Sequence, residues 1–222
     1  MLVRRSLYRA RFGKEFFSPV FLEILESLNK AVRESQEVIE GNYFYHHQVS
    51  ELQNEPDPSR RHKRIFLSGA VKGKRNVLEV GFNAGYSALL ILSSNPQVKY
   101  LGIDIGEHSY TTPAATILNH YFGNRFELVI ADSITFLDEL VLAKRKFDLI
   151  HIDGDHSYES CLSDLRKSSE LMKNSRSRIL LDDIQGPEVK RAYFQFKSEV
   201  PIVSTSSREN LLIKVKKVNT KP

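Results

Sequence analysis

Cysteine is almost missing from this chain of 222 residues. The single one, Cys161, excludes an internal disulfide and a zinc cage built on thiolates, and it suits a reducing cytoplasm. Long apolar runs are missing as well: none approaches the roughly 18 residues a membrane-spanning helix needs. The amino terminus, MLVRRSLYRARFGKEFF, has neither the apolar block nor the small-residue cleavage site of a secretory signal. An organelle transit peptide is disfavoured because Lys14 and Glu15 follow soon and serine is sparse. There is no internal repeat, no low-complexity tract, and no G-x-G-x-x-G of the kind that cradles a pyrophosphate.

What is present is an ordinary globular composition, 41% hydrophobic and 27% charged, in a length that suits one domain with a small appendage. The net charge of +5 is unevenly placed. Residues 1–75 hold 14 Lys/Arg against 9 Asp/Glu, whereas residues 76–222 hold 18 of each. The surplus lies in RRSLYRAR and SRRHKR, where a basic arm could meet nucleic acid or an acidic substrate. A solvated face is the stronger reading, because no aromatic residues interleave with SRRHKR as stacking platforms.

Two patterns divide the chain. The first part is helical: residues 18–41 begin with Ser18 as N-cap and Pro19 in the first turn, place Phe21, Leu25, Leu28 and Val32 at helical spacing, and stop at Gly41. Residues 42–61, aromatic and then polar with two prolines, read as a loop or lid, with His46 and His47 in it. Residues 62–73 read as one more short helix. From residue 76 the pattern alternates. The strands NVLEVG, VKYLGID, FELVIAD, FDLIHID and SRILLDD recur at βα-unit spacing, with helical stretches at 86–94, 111–122, 133–144 and 158–173 between them. VPIVSTS and NLLIKVKKV then predict a terminal antiparallel hairpin. The expected fold is a doubly wound α/β sheet, with the main domain over 62–222 and a helical extension and lid over 1–61. Because every strand lies after residue 75, residues 1–17 are expected to be dispensable to the core.

Ligands of open α/β sheets bind beyond the carboxyl ends of the strands. The first strand runs into LEVGFNAGYS, where Gly81 and Gly85 permit a close backbone approach and Ser87 can meet a carboxylate near a helix start. The second ends in Asp104, placed to accept from both hydroxyls of a ribose or to cap a helix. The third ends in Asp132 and Ser133, which suit an adenine amino group and ring nitrogen, or again a cap. The fourth ends in HIDGDHSYE, three acids and two histidines in nine residues.

Taken together, VLEVGFNAGYSALLI, Asp104, ADS, FDLIHIDGDHSYE and LLDDI resemble the class I S-adenosylmethionine-dependent methyltransferases. The nearest branch is the metal-dependent O-methyltransferases of the catechol, caffeoyl-coenzyme A and macrolide-sugar types. The resemblance implies a seven-stranded, mostly parallel, Rossmann-like sheet. It assigns Glu79, Gly81, Phe82, Asn83, Gly85 and Ser87 to the methionine half of S-adenosylmethionine, Asp104 with Ile105 to the ribose side, and Asp132 with Ser133 to the adenine. Asp153 would also adjoin the cofactor.

The same resemblance makes Asp153, Asp182 and Asp183 ligands of a divalent cation, Mg²⁺ by its preference for oxygen donors. His156 stands where catechol-type enzymes carry a lysine and the macrolide-sugar relatives a histidine, and would take the acceptor's hydroxyl proton. His156 and Asp183 depart from the catechol pattern, so a catechol acceptor is disfavoured. Asp155 reads as a helix cap and His151 as a packing or orienting residue. The implied acceptor is a small-molecule hydroxyl, walled by NYFYHH; a homodimer is left open, and no membrane partner is implied. Three rivals remain: a metal-free methyltransferase of the same fold, a nicotinamide-dependent oxidoreductase, and, ranked last, a nucleic-acid-binding module.

Overall fold

The computed structural model describes residues 6–11, 14–40, 42–45, 52 and 55–216. It opens with a hairpin that the sequence pattern did not announce. Strands β1 (Tyr8–Arg11) and β2 (Lys14–Phe17) pair antiparallel, and Tyr8 is buried beneath them. Helix α1 (Pro19–Ser35) follows; Ser18 Oγ accepts from Phe21 N–H at 3.1 Å, and Phe21, Ile24, Leu25, Leu28 and Val32 form its buried stripe. The helix stops short of Gly41, at Gln36 in the left-handed region with φ 60°. Glu37 explains the early stop. Its carboxylate leaves the helix axis to accept from Ser109 N–H at 2.9 Å and to pair with His108 Nδ1 at 2.8 Å.

Residues 42–45 are no exposed lid. Asn42 Oδ1 accepts from the amides of Phe44 and Tyr45 at 2.7 and 2.6 Å, which turns Tyr43, Phe44 and Tyr45 into the interior. His46 and His47 lie outside the described residues, as does Gly41. Helix α2 (Arg61–Val71) comes next, entered through a 3-10 turn that Asp57 caps.

The main sheet is the one expected. Its strands are β3 (Asn76–Val80), β4 (Lys99–Asp104), β5 (Phe126–Ile130), β6 (Leu149–Ile152), β7 (Arg178–Leu181), β8 (Ile202–Ser207) and β9 (Asn210–Val215), in the order β5-β4-β3-β6-β7-β9-β8. Strands β3 to β7 pair in parallel, and β9 is antiparallel to both β7 and β8. Helices α3 (Tyr86–Ser94), α4 (Thr111–Phe122), α5 (Ser133–Leu142), α6 (Tyr158–Leu171) and α7 (Pro187–Glu199) fill the crossovers. Helix α7 is an addition to the sequence reading. Gly186 and Pro187 at its start and buried Val189, Ala192, Tyr193 and Phe196 carry its signal.

Two apolar clusters sandwich the sheet. One gathers α1 to α4 with Tyr8 and Tyr43–Tyr45; the other gathers α5, α6 and α7 with the hairpin residues Leu211 and Ile213. The first cluster joins the amino-terminal segment to α3 and β3 in a single core. Glu15 ties it further. Its carboxylate accepts from Arg64 Nε at 2.8 Å, Arg64 Nη2 at 2.7 Å and Tyr8 OH at 2.7 Å, with Arg64 buried. Removing residues 1–17 would therefore strip a buried guanidinium of its counter-charge, which argues against their being dispensable to the core. Among the described residues no helix is long and apolar enough to cross a membrane.

Candidate active site

The chain winds outward from β3 through β4 to β5, then returns through β6 to β7, so the order reverses between β3 and β6. That switch point is where such sheets open a crevice at their carboxyl edge. The turn from β3 to α3 is held by the protein itself. A Cβ on Gly81 (φ +88°) would lie 2.0 Å from the Asp153 carbonyl oxygen, so the glycine is required by the neighbouring strand end. Gly85 (φ +76°) is the N-cap of α3, and Asn83 also takes positive φ. Asp104 is not a helix cap, since α4 begins only at Thr111. Its Oδ2 accepts from the amides of Phe82 at 2.9 Å and Asn83 at 2.7 Å, and Oδ1 from Gly106 N–H at 2.8 Å. Asp104 thus shapes the turn, and Oδ1 keeps acceptor capacity for a ligand hydroxyl. Ser87 is buried in the first turn of α3.

Farther along the edge, Ile105, Ile130 and Ile134 stand 67%, 52% and 41% exposed. Asp104 and Ile130 are register partners, and Ile105 and Ile134 follow just after the ends of β4 and β5, so exposed apolar side chains gather at these two strand ends. Asp132 caps α5, accepting from Thr135 N–H and Oγ1–H at 3.2 and 3.0 Å. Ser133 donates to Asp164 Oδ1 at 3.0 Å, which commits it to the α5–α6 contact rather than to a ligand.

The ends of β6 and β7 bring Asp153, His156 and Asp183 together. His156 Nε2 lies 3.9 Å from Asp153 Oδ1 and 3.8 Å from Asp183 Oδ2, with its ring half exposed. The Asp153 carboxylate, chiefly, holds the imidazole pKa above its usual range, while Asp153 itself is pushed up by burial and by Asp182. Asp183 sits at φ 48°. Asp155 does not cap α6 as expected: Ser157 is the N-cap, its Oγ accepting from Ser160 N–H, and Asp155 supports that residue by accepting from Ser157 N–H at 3.0 Å and Ser157 Oγ–H at 2.6 Å.

Residues 78–184 match the family model described as a methyltransferase domain. That stretch, just under half of the chain, is similar to a methyltransferase domain. The chain's fold is that of an O-methyltransferase from Bacillus cereus solved with SAH, at a TM-score of 0.62 and 17% identity over 90% of this chain and 92% of that one. The O-methyltransferase TomG from Streptomyces achromogenes, solved with SAM, gives a TM-score of 0.56 and 15% identity over 88% and 90%. A curated relative, the tRNA1(Val) (adenine(37)-N6)-methyltransferase of a Flavobacteriaceae bacterium, is 30% identical over 101 residues, 41% of this chain. The chain matches only 42% of that relative's length.

Within the matched region two expected site residues have other work. Glu79 is fully buried, with one oxygen paired to His151 Nδ1 at 2.6 Å and the other taking the Tyr100 hydroxyl, so it braces the sheet from below instead of lining a ligand. His151 in turn bonds Tyr43 OH through Nε2 at 2.9 Å, the orienting role expected of it. Asp182 is also engaged. Its Oδ1 accepts from Asn210 Nδ2 at 2.6 Å and from Asp183 N–H at 2.8 Å, and its Oδ2 lies 2.8 Å from Lys63 Nζ.

An adenosine fits the edge, because Asp104 Oδ1 and the exposed isoleucines at the ends of β4 and β5 offer an acceptor and apolar surface. A cage of three aspartates for a divalent ion does not fit, because the buried Asp182 already holds an ammonium group. Two sets among the described residues bring one ligand atom each within 4.8 Å of one another, His151 with Asp153 and Asp182, and Asp153 with His156 and Asp183; Lys63 Nζ lies 2.8 Å from Asp182 in the first and 3.5 Å from Asp183 in the second. Lys63, Glu209 and Asn210 were missed by the sequence reading, because they come from distant elements and no local spacing marks them; Tyr43 was expected only as part of the NYFYHH wall.

Proposed function

We propose that this chain is an S-adenosylmethionine-dependent methyltransferase acting on a hydroxyl oxygen of a small molecule. One observation carries the reading: in a region similar to a methyltransferase domain, a half-exposed imidazole, His156, stands between two carboxylates at the switch point, next to the Gly81–Gly85 turn. SAH and SAM in the two solved O-methyltransferases support the cofactor. When bound, S-adenosylmethionine supplies an electrophilic methyl group on a sulfonium. Asp104 Oδ1 would accept from a ribose hydroxyl, and Ile105, Ile130 and Ile134 would cover the purine. His156 Nε2 takes the proton of the acceptor hydroxyl as the oxygen–methyl bond forms. Asp153 and Asp183 then stabilise the imidazolium, and their pull on its pKa makes it a strong acceptor once its own proton has left. Alignment of the two reactants supplies much of the remaining rate.

The test incubates the protein with radiolabelled S-adenosylmethionine and a panel of phenols, hydroxy acids and sugars. Label in a base-stable ether is expected. Calorimetry that finds no affinity for S-adenosylhomocysteine would overturn the reading. The tRNA-modifying relative supplies a second reading, in which the label appears in RNA. Against it, the basic residues nearest the site are consumed internally: Arg60 by Glu209, Lys63 by Asp182 and Arg64 by Glu15.

A further inference from the structure

Lys63 is the feature of this edge that the proposed chemistry does not use. It projects from the first turn of α2 and is 5% exposed. Its ammonium lies 2.8 Å from Asp182 Oδ2, 3.5 Å from Asp183 Oδ1 and 3.6 Å from Glu209 Oε2, and 5.1 Å from the centroid of the Tyr43 ring. Three carboxylates and an aromatic face thus surround one cation. The surroundings are built to hold it. Asn210 donates to Asp182, Arg60 and His62 pair with Glu209, and Ile184 N–H donates to the Glu209 carbonyl at 2.9 Å. Lys63, Glu209 and Asn210 all lie outside residues 78–184, so the cation is contributed by elements beyond the matched domain.

We propose that Lys63 is a built-in cation standing in place of a divalent metal at the carboxyl edge, so that methyl transfer by this chain is independent of metal ions. Three converging carboxylates repel one another unless a positive charge lies among them. In this chain the charge is covalently attached. An incoming dication at His151, Asp153 and Asp182 would have to displace the ammonium from buried Asp182, and one at Asp153, His156 and Asp183 would share Asp183 with an ammonium 3.5 Å from its Oδ1, against like-charge repulsion. The ammonium also cannot polarise an acceptor oxygen as a metal does, because its partners leave it buried. Proton removal therefore falls to His156, and Lys63 is a positioning residue that keeps Asp182 and Asp183 together. The inference rests on the methyl-transfer reading of the same site, but its test reads cation binding, which needs no turnover.

Mn²⁺ is titrated into the full chain by electron paramagnetic resonance, alongside calorimetry of S-adenosylhomocysteine with and without chelator. The wild type is expected to bind no Mn²⁺ at micromolar concentration and to hold S-adenosylhomocysteine equally well in chelator. Lys63→Ala is expected to gain stoichiometric Mn²⁺ binding and a melting temperature that rises with Mn²⁺, and Asp182→Asn in that background is expected to abolish both. Should Lys63→Ala fail to fold, Lys63→Gln keeps a donor to Asp182 and is expected to show a weaker gain. Micromolar Mn²⁺ binding by the wild type that Asp153→Asn or Asp183→Asn removes would overturn the proposal. So would variants at Lys63 that bind Mn²⁺ no better than wild type. Loss of S-adenosylhomocysteine binding altogether would instead strike the methyltransferase reading and leave the cation result standing.

Discussion

Replacing Glu15 by Ala tests whether the amino-terminal hairpin belongs to the core. The carboxylate is 8% exposed and receives two hydrogen bonds from a guanidinium that is 1% exposed, so solvent screening is slight. Breaking one half of a buried pair costs roughly 3–5 kcal/mol, because the surviving charge is left without compensation. Arg64 keeps part of its support. Nη1 still donates to the carbonyls of Tyr43 and Asp57, at 3.1 and 3.0 Å, and the group lies over the rings of Phe17 and Phe44. The lower end, about 3 kcal/mol, is therefore expected. At roughly 2–4 °C per kcal/mol for a domain of this size, the melting temperature should fall by about 6–12 °C. Urea denaturation and scanning calorimetry measure it. The double variant Glu15→Gln, Arg64→Met removes both charges and should recover much of the loss. A Glu15→Ala protein within about 0.5 kcal/mol of wild type, the range of an ordinary surface change, would refute the argument and restore residues 1–17 to the status of an appendage.

Other outcomes follow from the same geometry. Burial pushes the Asp164 carboxyl up to about 7 from an ordinary 3.8. The folded state then holds a proton that the unfolded chain has released between those values, so this group's contribution to stability falls as pH rises from about 4 to about 7. Asp164→Asn should gain on wild type across that window by an amount on the order of 4 kcal/mol, read by urea melts at pH 4, 5.5 and 8; parallel curves would contradict it. Asp104→Ala should weaken S-adenosylhomocysteine by calorimetry at least tenfold, because it removes both a ribose acceptor and the anchor of the Phe82 and Asn83 amides; unchanged affinity would return Asp104 to a purely structural role. His156→Ala should lose on the order of a hundredfold in turnover with cofactor affinity kept, and full turnover at neutral pH would remove it from the mechanism.

The sheet was legible in the sequence because it is local chemistry repeated. Apolar strands such as NVLEV and FELVI, each followed by a helical stripe, bury themselves on both faces with little help from distant residues. The hairpin at 8–17 was not, since Tyr8 and Glu15 acquire their meaning only from Arg64, 49 positions beyond Glu15. The loop at 42–45 was misplaced for a similar reason: aromatic residues after a helix read as a wall, yet Asn42 folds them inward and Tyr43 ends against His151, 108 residues away. At the site, strand-end position correctly gathered Asp153, His156 and Asp183, because parallel strands deliver their last residues to one edge. It assigned Ser133 to a ligand because position alone does not show that its hydroxyl reaches Asp164.

Glu79 and Asp182 teach the sharper point about reading acids at strand ends. Both were assigned by motif to groups outside the protein, and both are fully buried beside cationic or donor groups of the chain's own. A carboxylate that has lost its water needs a partner inside the fold, and burial decides where that partner comes from. Glu79 finds His151 and Tyr100; Asp182 finds Lys63 and Asn210. Asp153 and Asp183, with side chains 22% and 42% exposed, are less completely engaged: the half-exposed His156 faces them both, and Lys63 Nζ stands 3.5 Å from Asp183 Oδ1. The division between buried, self-satisfied acids and open, underused ones therefore separates the residues that build this edge from those free to act on a ligand. On the proposed reading the reacting imidazole stands at the ends of β6 and β7, and the cofactor would lie toward Ile105, just after β4, and Ile130 of β5, on the other side of β3. An acceptor hydroxyl between them would meet His156 on one side and the Gly81–Gly85 turn on the other.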